Sequence, residues 1–293
     1  MQRATVRIDA AAIETRASDL ARRSLKGATK AMAIDLAIAC MDLTTLEGRD
    51  TPATVRDLCA RGKAPAPGAP SVAAICVYPR LVCAAASALR DSNVRVASVA
   101  TAFPSGQSSL EVKILETRDA IADGAHEIDM VIDRGALLAG RDHDVAREIA
   151  CVREACGTAT LKVILEVGEL GSYAMMRRAC VLALASGADF LKTATGKIGV
   201  SATPAIALVL CEAVAEHARR TGREVGIKFA GGIRTTKGAF AYLAIVNETL
   251  GDAWLRPERM RIGASSLLDD LLLQRTTFQT GVYGDPSRAA VAS

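Results

Sequence analysis

Aromatic side chains are scarce here: one tryptophan, four tyrosines and five phenylalanines in 293 residues. A surface that stacks nucleic-acid bases needs such rings, so that class of function is disfavoured. The formal net charge of +4 is mild and is not gathered into a run, which suits an anionic small substrate better than a nucleic acid. Histidine is rarer still, at three residues (His126, His143, His217), with no H-E-x-x-H or His-x-His spacing, so no dedicated zinc or iron site is expected. None of the eight cysteines forms a C-x-x-C pair, and several sit in apolar runs such as Ala74-Ile75-Cys76-Val77; they read as small buried hydrophobes in a reducing compartment. No apolar stretch approaches the roughly 20 residues that span a bilayer. Met1 to Lys30 is rich in alanine and arginine like a transit peptide. It also carries Asp9, Glu14 and Asp19 and lacks an apolar core, so it reads as a solvated leading helix, and the expected location is the cytoplasm.

What the chain does have is hydrophobic bulk, at half of its residues, arranged as short apolar runs alternating with amphipathic segments. Eight strands are expected: Ala39–Leu43, Val72–Tyr78, Val94–Ala100, Glu127–Ile132, Leu161–Glu166, Phe190–Thr193, Gly226–Ala230 and Arg261–Gly263. Helical periodicity runs through Ser108–Asp123, Tyr173–Ser186 and Pro204–Arg220. Thr203-Pro204 and Thr51-Pro52 read as helix starts, with threonine as N-cap and proline in the first turn. Apolar strands alternating with helices imply a parallel sheet covered on its outer face. The expected fold is α/β, a TIM (β/α)8 barrel with an extra N-terminal helical segment; a doubly wound open sheet is the alternative, but its Gly-rich first turn is missing. The division expected is a helical extension over 1–30, the barrel over 31–276 and a flexible tail over 277–293. The proline-rich stretch from Lys63 to Pro70 reads as a rigid loop entering the second strand.

Two lysines stand out. Lys192 lies in Phe190-Leu191-Lys192-Thr193-Ala194-Thr195-Gly196, and Lys228 in Gly226-Ile227-Lys228-Phe229-Ala230-Gly231-Gly232. Burying an ammonium is costly, so a lysine in an apolar strand tends to lose its proton. The neutral amine condenses with carbonyls, and a neighbouring cation lowers its pKa further. The pair therefore points to Schiff-base chemistry, against the plainer reading of two snorkelling surface residues. They lie 36 residues apart, close to one β/α repeat, so their strands are expected to be neighbours. Other polar residues inside apolar strands are Asp42, Glu127, Asp129, Lys162 and Glu166, with Cys76 as a neutral member. Period two puts Glu127 and Asp129 on one face. These acids either work with the lysines or form structural ion pairs with them, and Lys162 fits both roles. Glu166 is expected to balance a lysine charge, Cys76 to pack in the core, and Asp42 to act as a hydrogen bonder at the barrel mouth or as a catalyst.

Gly231-Gly232 follows the seventh strand, and Gly263-Ala264-Ser265-Ser266 follows the eighth and opens a helix. Turns at these places bind phosphate in many barrels, through backbone N–H groups and a helix N-terminus.

On these residues the chain, from about Ala39 to Leu273, resembles the deoxyribose-phosphate aldolase family of class I (Schiff-base) aldolases. The segments that carry the resemblance are Met41-Asp42-Leu43-Thr44-Thr45-Leu46, Ala74-Ile75-Cys76-Val77-Tyr78-Pro79-Arg80, Glu116-Thr117-Arg118, Lys162-Val163-Ile164-Leu165-Glu166, the two lysine segments, and Arg261-Ile262-Gly263-Ala264-Ser265-Ser266-Leu267-Leu268. The resemblance implies reversible cleavage of 2-deoxy-D-ribose 5-phosphate to D-glyceraldehyde 3-phosphate and acetaldehyde, with no metal and no cofactor. It implies Lys192 as the Schiff-base nucleophile, Lys228 as the cation that lowers its pKa, and Asp129 as a partner in proton transfer. Substrate and phosphate would be held by Asp42, Thr195, Gly196, Lys197, Gly231, Gly232, Gly263, Ser265 and Ser266. The implied partners are phosphorylated sugars and aldehydes, with no nucleic acid and no membrane; the residues leave a homodimer open.

Two features depart from the family pattern. Phe229-Ala230 stands where many relatives have proline or serine, and the chain ends Ala292-Ser293 where some relatives end in a tyrosine that helps protonate the enamine. Either Tyr283 takes that role, or solvent and Asp129 carry the proton. The competing functions are a lysine-dependent barrel aldolase acting on a different aldehyde, and a non-catalytic barrel that binds or assembles.

Overall fold

A computed structural model describes residues 8–199 and 202–282. Eight parallel strands close into a barrel in chain order, β8 pairing back with β1. They are β1 (Met41–Thr44), β2 (Ala74–Val77), β3 (Arg95–Ala100), β4 (Glu127–Val131), β5 (Thr160–Ile164), β6 (Phe190–Lys192), β7 (Gly226–Ala230) and β8 (Met260–Ala264). Each coincides with an expected strand to within two residues at most ends.

The helices cover the outside: α1 (Ala10–Ala21), α2 (Gly27–Ala39), α3 (Pro52–Lys63), α4 (Val82–Leu89), α5 (Leu110–Ala122), α6 (Arg134–Leu138), α7 (Asp142–Ala155), α8 (Tyr173–Ala185), α9 (Pro204–Thr221), α10 (Thr236–Leu250) and α11 (Leu267–Thr280). Thr203 and Thr51 cap α9 and α3 as their sequence predicts, each hydroxyl accepting from the backbone N–H three residues on, with proline in the first turn. Such a cap contributes about 1 kcal/mol.

The strands are buried on both faces, and the two faces differ in kind. Outward residues such as Leu43, Ile128, Leu161, Leu191, Ile227 and Ile262 are fully buried in the layer of side chains under the helices. Many inward residues are small (Ala74, Cys76, Ala97) or charged (Asp42, Glu127, Asp129, Lys162, Lys192, Lys228, Arg261), with Ile164 and Phe190 beside the lysines as larger apolar members. The barrel axis therefore holds an ionic cluster on one side and a small apolar wall of Leu46, Ala74, Cys76, Ala97 and Val99 on the other.

The leading segment departs from its expected solvated state. Ile13, Ala17 and Leu20, at i, i+4 and i+7, form a buried stripe on α1 that packs on α9 and α10. Arg16 binds Glu212 at 2.6 Å, and Arg23 binds Glu248. The boundary expected at residue 30 falls inside α2. Among the described residues no helix is long and apolar enough to cross a membrane. Tyr283 and the rest of the expected tail after residue 282 lie outside the described residues.

Candidate active site

Strand register brings the cluster together. Lys192 pairs with Lys228 across β6 and β7, Lys228 pairs with Arg261 across β7 and β8, and Asp129 pairs with Lys162 across β4 and β5. Four adjacent strands, β5 to β8, thus carry cations on the inner face, and the acids of β1 and β4 meet them across the axis. Gly263 leaves room for this: a Cβ there would stand 3.0 Å from Lys228 Cε and 3.0 Å from Ala230 Cβ.

Asp129 lies at the centre. Its Oδ2 accepts from Lys192 Nζ at 2.7 Å and from Lys228 Nζ at 2.7 Å, while Oδ1 accepts from Lys162 Nζ at 2.8 Å. Lys228 also meets Asp42 Oδ2 at 2.5 Å, an ion pair without hydrogen-bond alignment. Lys192 is 2% exposed, and Lys228 1%.

Each charge responds to this company. Burial lowers the Lys192 pKa; Asp129 opposes that, Lys228 adds to it, and the net shift is downward. Burial pulls Lys228 the same way, but Asp129 and Asp42 together outweigh it and hold its proton above the ordinary lysine range. Lys162 behaves likewise, with Asp129, Glu127 and Asp42 overcoming burial. Against their own burial, the surrounding cations keep Asp129 and Asp42 ionised well below the usual carboxylate range. Cys76 is pushed up by burial and stays a thiol. Lys192 is the cluster's one amine held below its usual pKa.

Above the cluster opens a pocket of about 300 Å³. Lys192 and Lys228 form its floor, and Thr195, Gly196, Lys197, Gly231, Gly232, Gly263, Ser265 and Ser266 line its walls. Gly231 and Gly232 both adopt left-handed φ, at 96° and 82°, which lets the β7–α10 turn fold tightly against the opening. Ser265 and Ser266 stand just before the first residue of α11, Leu267, so its free N–H groups face the same space.

Two expectations are corrected. Asp42 is not at the mouth: it is fully buried beneath the pocket, bound by Lys228 and Arg261. Glu166 balances no lysine among the described residues. Its backbone turns left-handed at φ 50°, ending the strand alternation, and its carboxylate accepts from the Thr195 N–H at 3.1 Å and from the Thr195 hydroxyl. It shapes the loop after β6. Two residues that sequence reading missed are Arg261, a buried guanidinium inside an apolar strand, and Arg234, which lines the pocket three residues after Gly231. Among the described residues no three His, Cys, Asp or Glu side chains are grouped to hold a metal ion.

A buried lysine pair sharing one carboxylate, at the end of a parallel (β/α)8 barrel where strands hand over to loops, defines a lysine-dependent barrel enzyme. Residues 36–272 match the family model described as DeoC/LacD family aldolase. The chain is 44% identical to deoxyribose-phosphate aldolase of Mus musculus and 41% identical to that of Homo sapiens, in each case across 95% of this chain and 92% of the relative. It superposes with a TM-score of 0.65 on the tetrameric deoxyribose phosphate aldolase of Aeropyrum pernix, at 26% identity over 94% of this chain and all of that one. The chain belongs to the DeoC/LacD aldolase family.

Proposed function

We propose that this chain reversibly cleaves 2-deoxy-D-ribose 5-phosphate to D-glyceraldehyde 3-phosphate and acetaldehyde through a Schiff base on Lys192. The observation that carries the reading is the placement of the Lys192 amine: buried, lowered in pKa, and on the floor of a pocket rimmed by glycine and serine turns.

The neutral amine adds to C1 of the open-chain sugar, and loss of water leaves an iminium. As the C3 hydroxyl gives up its proton, the C2–C3 electron pair moves into a C1–C2 double bond and neutralises the iminium nitrogen. Glyceraldehyde 3-phosphate leaves with its new C3 carbonyl. Protonation of the enamine at C2 and hydrolysis by water release acetaldehyde and free Lys192. Asp129, acting through a water, moves these protons: it takes the C3 hydroxyl proton as the bond breaks and returns it, through the water, to C2 of the enamine, while the Lys162 and Lys228 ammoniums beside it keep it ionised between transfers. The two-carbon fragment rests against the small wall of Cys76, Ala97 and Val99. Lys197, Gly196, Gly231, Gly232, Gly263, Ser265 and Ser266, joined by Arg234, hold the phosphate, while Thr195 shapes the wall between it and Lys192.

Charge-assisted hydrogen bonds of this kind contribute about 1.5–3 kcal/mol each. Turnover of the phosphorylated sugar is therefore expected to exceed that of plain 2-deoxyribose by about 100-fold or more in kcat/KM. Equal turnover of both sugars would remove the phosphate assignment.

The same proposal includes one catalytic barrel over residues 31–276 preceded by a helical extension, a cytoplasmic location, and a homodimer. Light scattering of the purified chain tests the last; a monomer contradicts it.

A further inference from the structure

Beneath the two lysines the barrel carries a second tier of charge, none of whose members lines the pocket. The Arg261 guanidinium donates from Nη1 to Asp42 Oδ1 at 2.7 Å, and from Nη2 to Glu127 Oε1 at 2.8 Å, with a further Nη1 contact to Glu127 Oε2 at 3.1 Å. Lys162 reaches Glu127 at 2.5 Å, Asp129 at 2.8 Å and Asp42 at 3.6 Å. Arg95, whose side chain is 46% exposed, closes the bottom against Glu127 at 3.0 Å. Arg261 is 4% exposed and Glu127 1%.

The groups around Lys192 come from six other strands: Asp42 on β1, Cys76 on β2, Glu127 and Asp129 on β4, Lys162 on β5, Lys228 on β7 and Arg261 on β8. Three carboxylates stand against four buried bases. Since an unmatched buried charge is expensive, three of the bases keep their protons and the fourth gives its up. The fourth is the one with the fewest anions. Arg261 and Lys228 each bind two carboxylates and Lys162 meets three, whereas Lys192 has one, and shares it.

We propose that Arg261 and Glu127 are positioning residues that fix the protonation state of Lys192 by charge count: Arg261 takes up the anionic capacity of Asp42 and Glu127, so that Asp129 is left to Lys228 and Lys162 and cannot retain a charged Lys192 as well. This rests on Lys192 being the reacting amine. The sign of each perturbation follows. Removing Arg261 leaves three acids and three lysines, and Lys192 holds its proton. Removing Glu127 leaves a surplus of cations, and Lys192 sheds its proton more readily. Removing both restores the surplus of one base.

The test is the acid limb of kcat/KM against pH, with borohydride trapping at Lys192 read over the same range, for Arg261→Met, Glu127→Gln and the double variant, each checked for cooperative unfolding. The limb is expected to rise by about one pH unit or more in Arg261→Met, to fall in Glu127→Gln, and to return close to wild type in the double variant. Arg261→Lys, which keeps the charge, is expected to keep the limb. Folded single variants whose limbs coincide with wild type overturn the proposal, as does a double variant that only adds their losses. Should Arg261→Met not fold, Glu127→Gln decides alone: a lowered limb supports the charge count, and an unmoved limb overturns it. Failure of the underlying reading looks different, because wild-type protein would then show no trapped adduct at Lys192 at any pH.

Discussion

Lys192 and Lys228 face each other in the β6–β7 register and bind the same oxygen, Asp129 Oδ2, at 2.7 Å each. Two ammoniums on one acceptor repel, and Lys228 has a second anion in Asp42 where Lys192 has none. The asymmetry decides which lysine is the nucleophile.

Because the neutral amine reacts, kcat/KM should climb as pH rises through the Lys192 pKa and level off above it. Burial together with the Lys228 charge places that climb below the ordinary lysine pKa of about 10.4. Lys228→Leu removes the cation, so the climb should move to higher pH by about one unit or more, and activity near pH 7 should drop about tenfold or further. A pH–rate profile that does not move would strip Lys228 of its role.

Asp129→Asn should shift the climb the other way, since the lost anion had favoured the Lys192 ammonium. It also removes the proton carrier, for an expected loss of ~10²–10⁴ in kcat. Lys162 and Lys228 are left under-paired in a buried site, at a cost to stability of about 3–5 kcal/mol. Urea denaturation and steady-state kinetics check both; a variant with wild-type kcat contradicts the assignment.

At the pocket rim Lys197 Nζ binds Glu47 Oε1 at 3.0 Å, an exposed pair that a phosphate must compete with. Lys197→Met should raise KM for the phosphorylated sugar about tenfold and leave the unphosphorylated sugar unaffected. Glu47→Gln should lower the same KM by a few-fold at most, since exposed pairs contribute only about 0–1 kcal/mol. Equal effects on both sugars would contradict phosphate contact.

The ionic cluster also fixes the pH dependence of stability. The folded pKa values of Asp42 and Asp129 lie below their unfolded ones, so their contribution is complete above about pH 4 and is lost as pH falls through the folded values. Those of Lys162 and Lys228 lie above their unfolded values, so their contribution is complete below about pH 10 and fades at higher pH. Thermal unfolding should show a steep acid edge in Tm below about pH 4 and, above it, a gradual gain as pH approaches the ordinary lysine range, because Lys192, whose folded pKa lies below its unfolded one, gives up its proton earlier when folded. A Tm that is flat from pH 7 to pH 3 would contradict the ion pairing described.

The barrel was legible because each strand is a short apolar run bounded by turn residues, and because Thr51, Thr203 and their prolines mark helix starts locally. Lys192, Lys228 and Asp129 were legible for the opposite reason: each is a charge where the local pattern calls for an apolar side chain. Arg261 breaks the same pattern, yet its importance depends on β8 closing against β1, a contact between residues 219 positions apart in the chain. Glu166 misled because the strand was expected to run to Glu166, two residues past the end of β5, and a left-handed residue is invisible in an apolar run. The α1 stripe was masked by its small size, being one isoleucine, one alanine and one leucine within an Ala/Arg-rich segment.

The most direct measurement is borohydride reduction of the protein incubated with 2-deoxyribose 5-phosphate or acetaldehyde, followed by peptide mass spectrometry. The account predicts a reduced adduct at Lys192, absent from Lys228 and Lys162 and abolished in Lys192→Met along with turnover. An adduct on another lysine, or full turnover with none at Lys192, would contradict it.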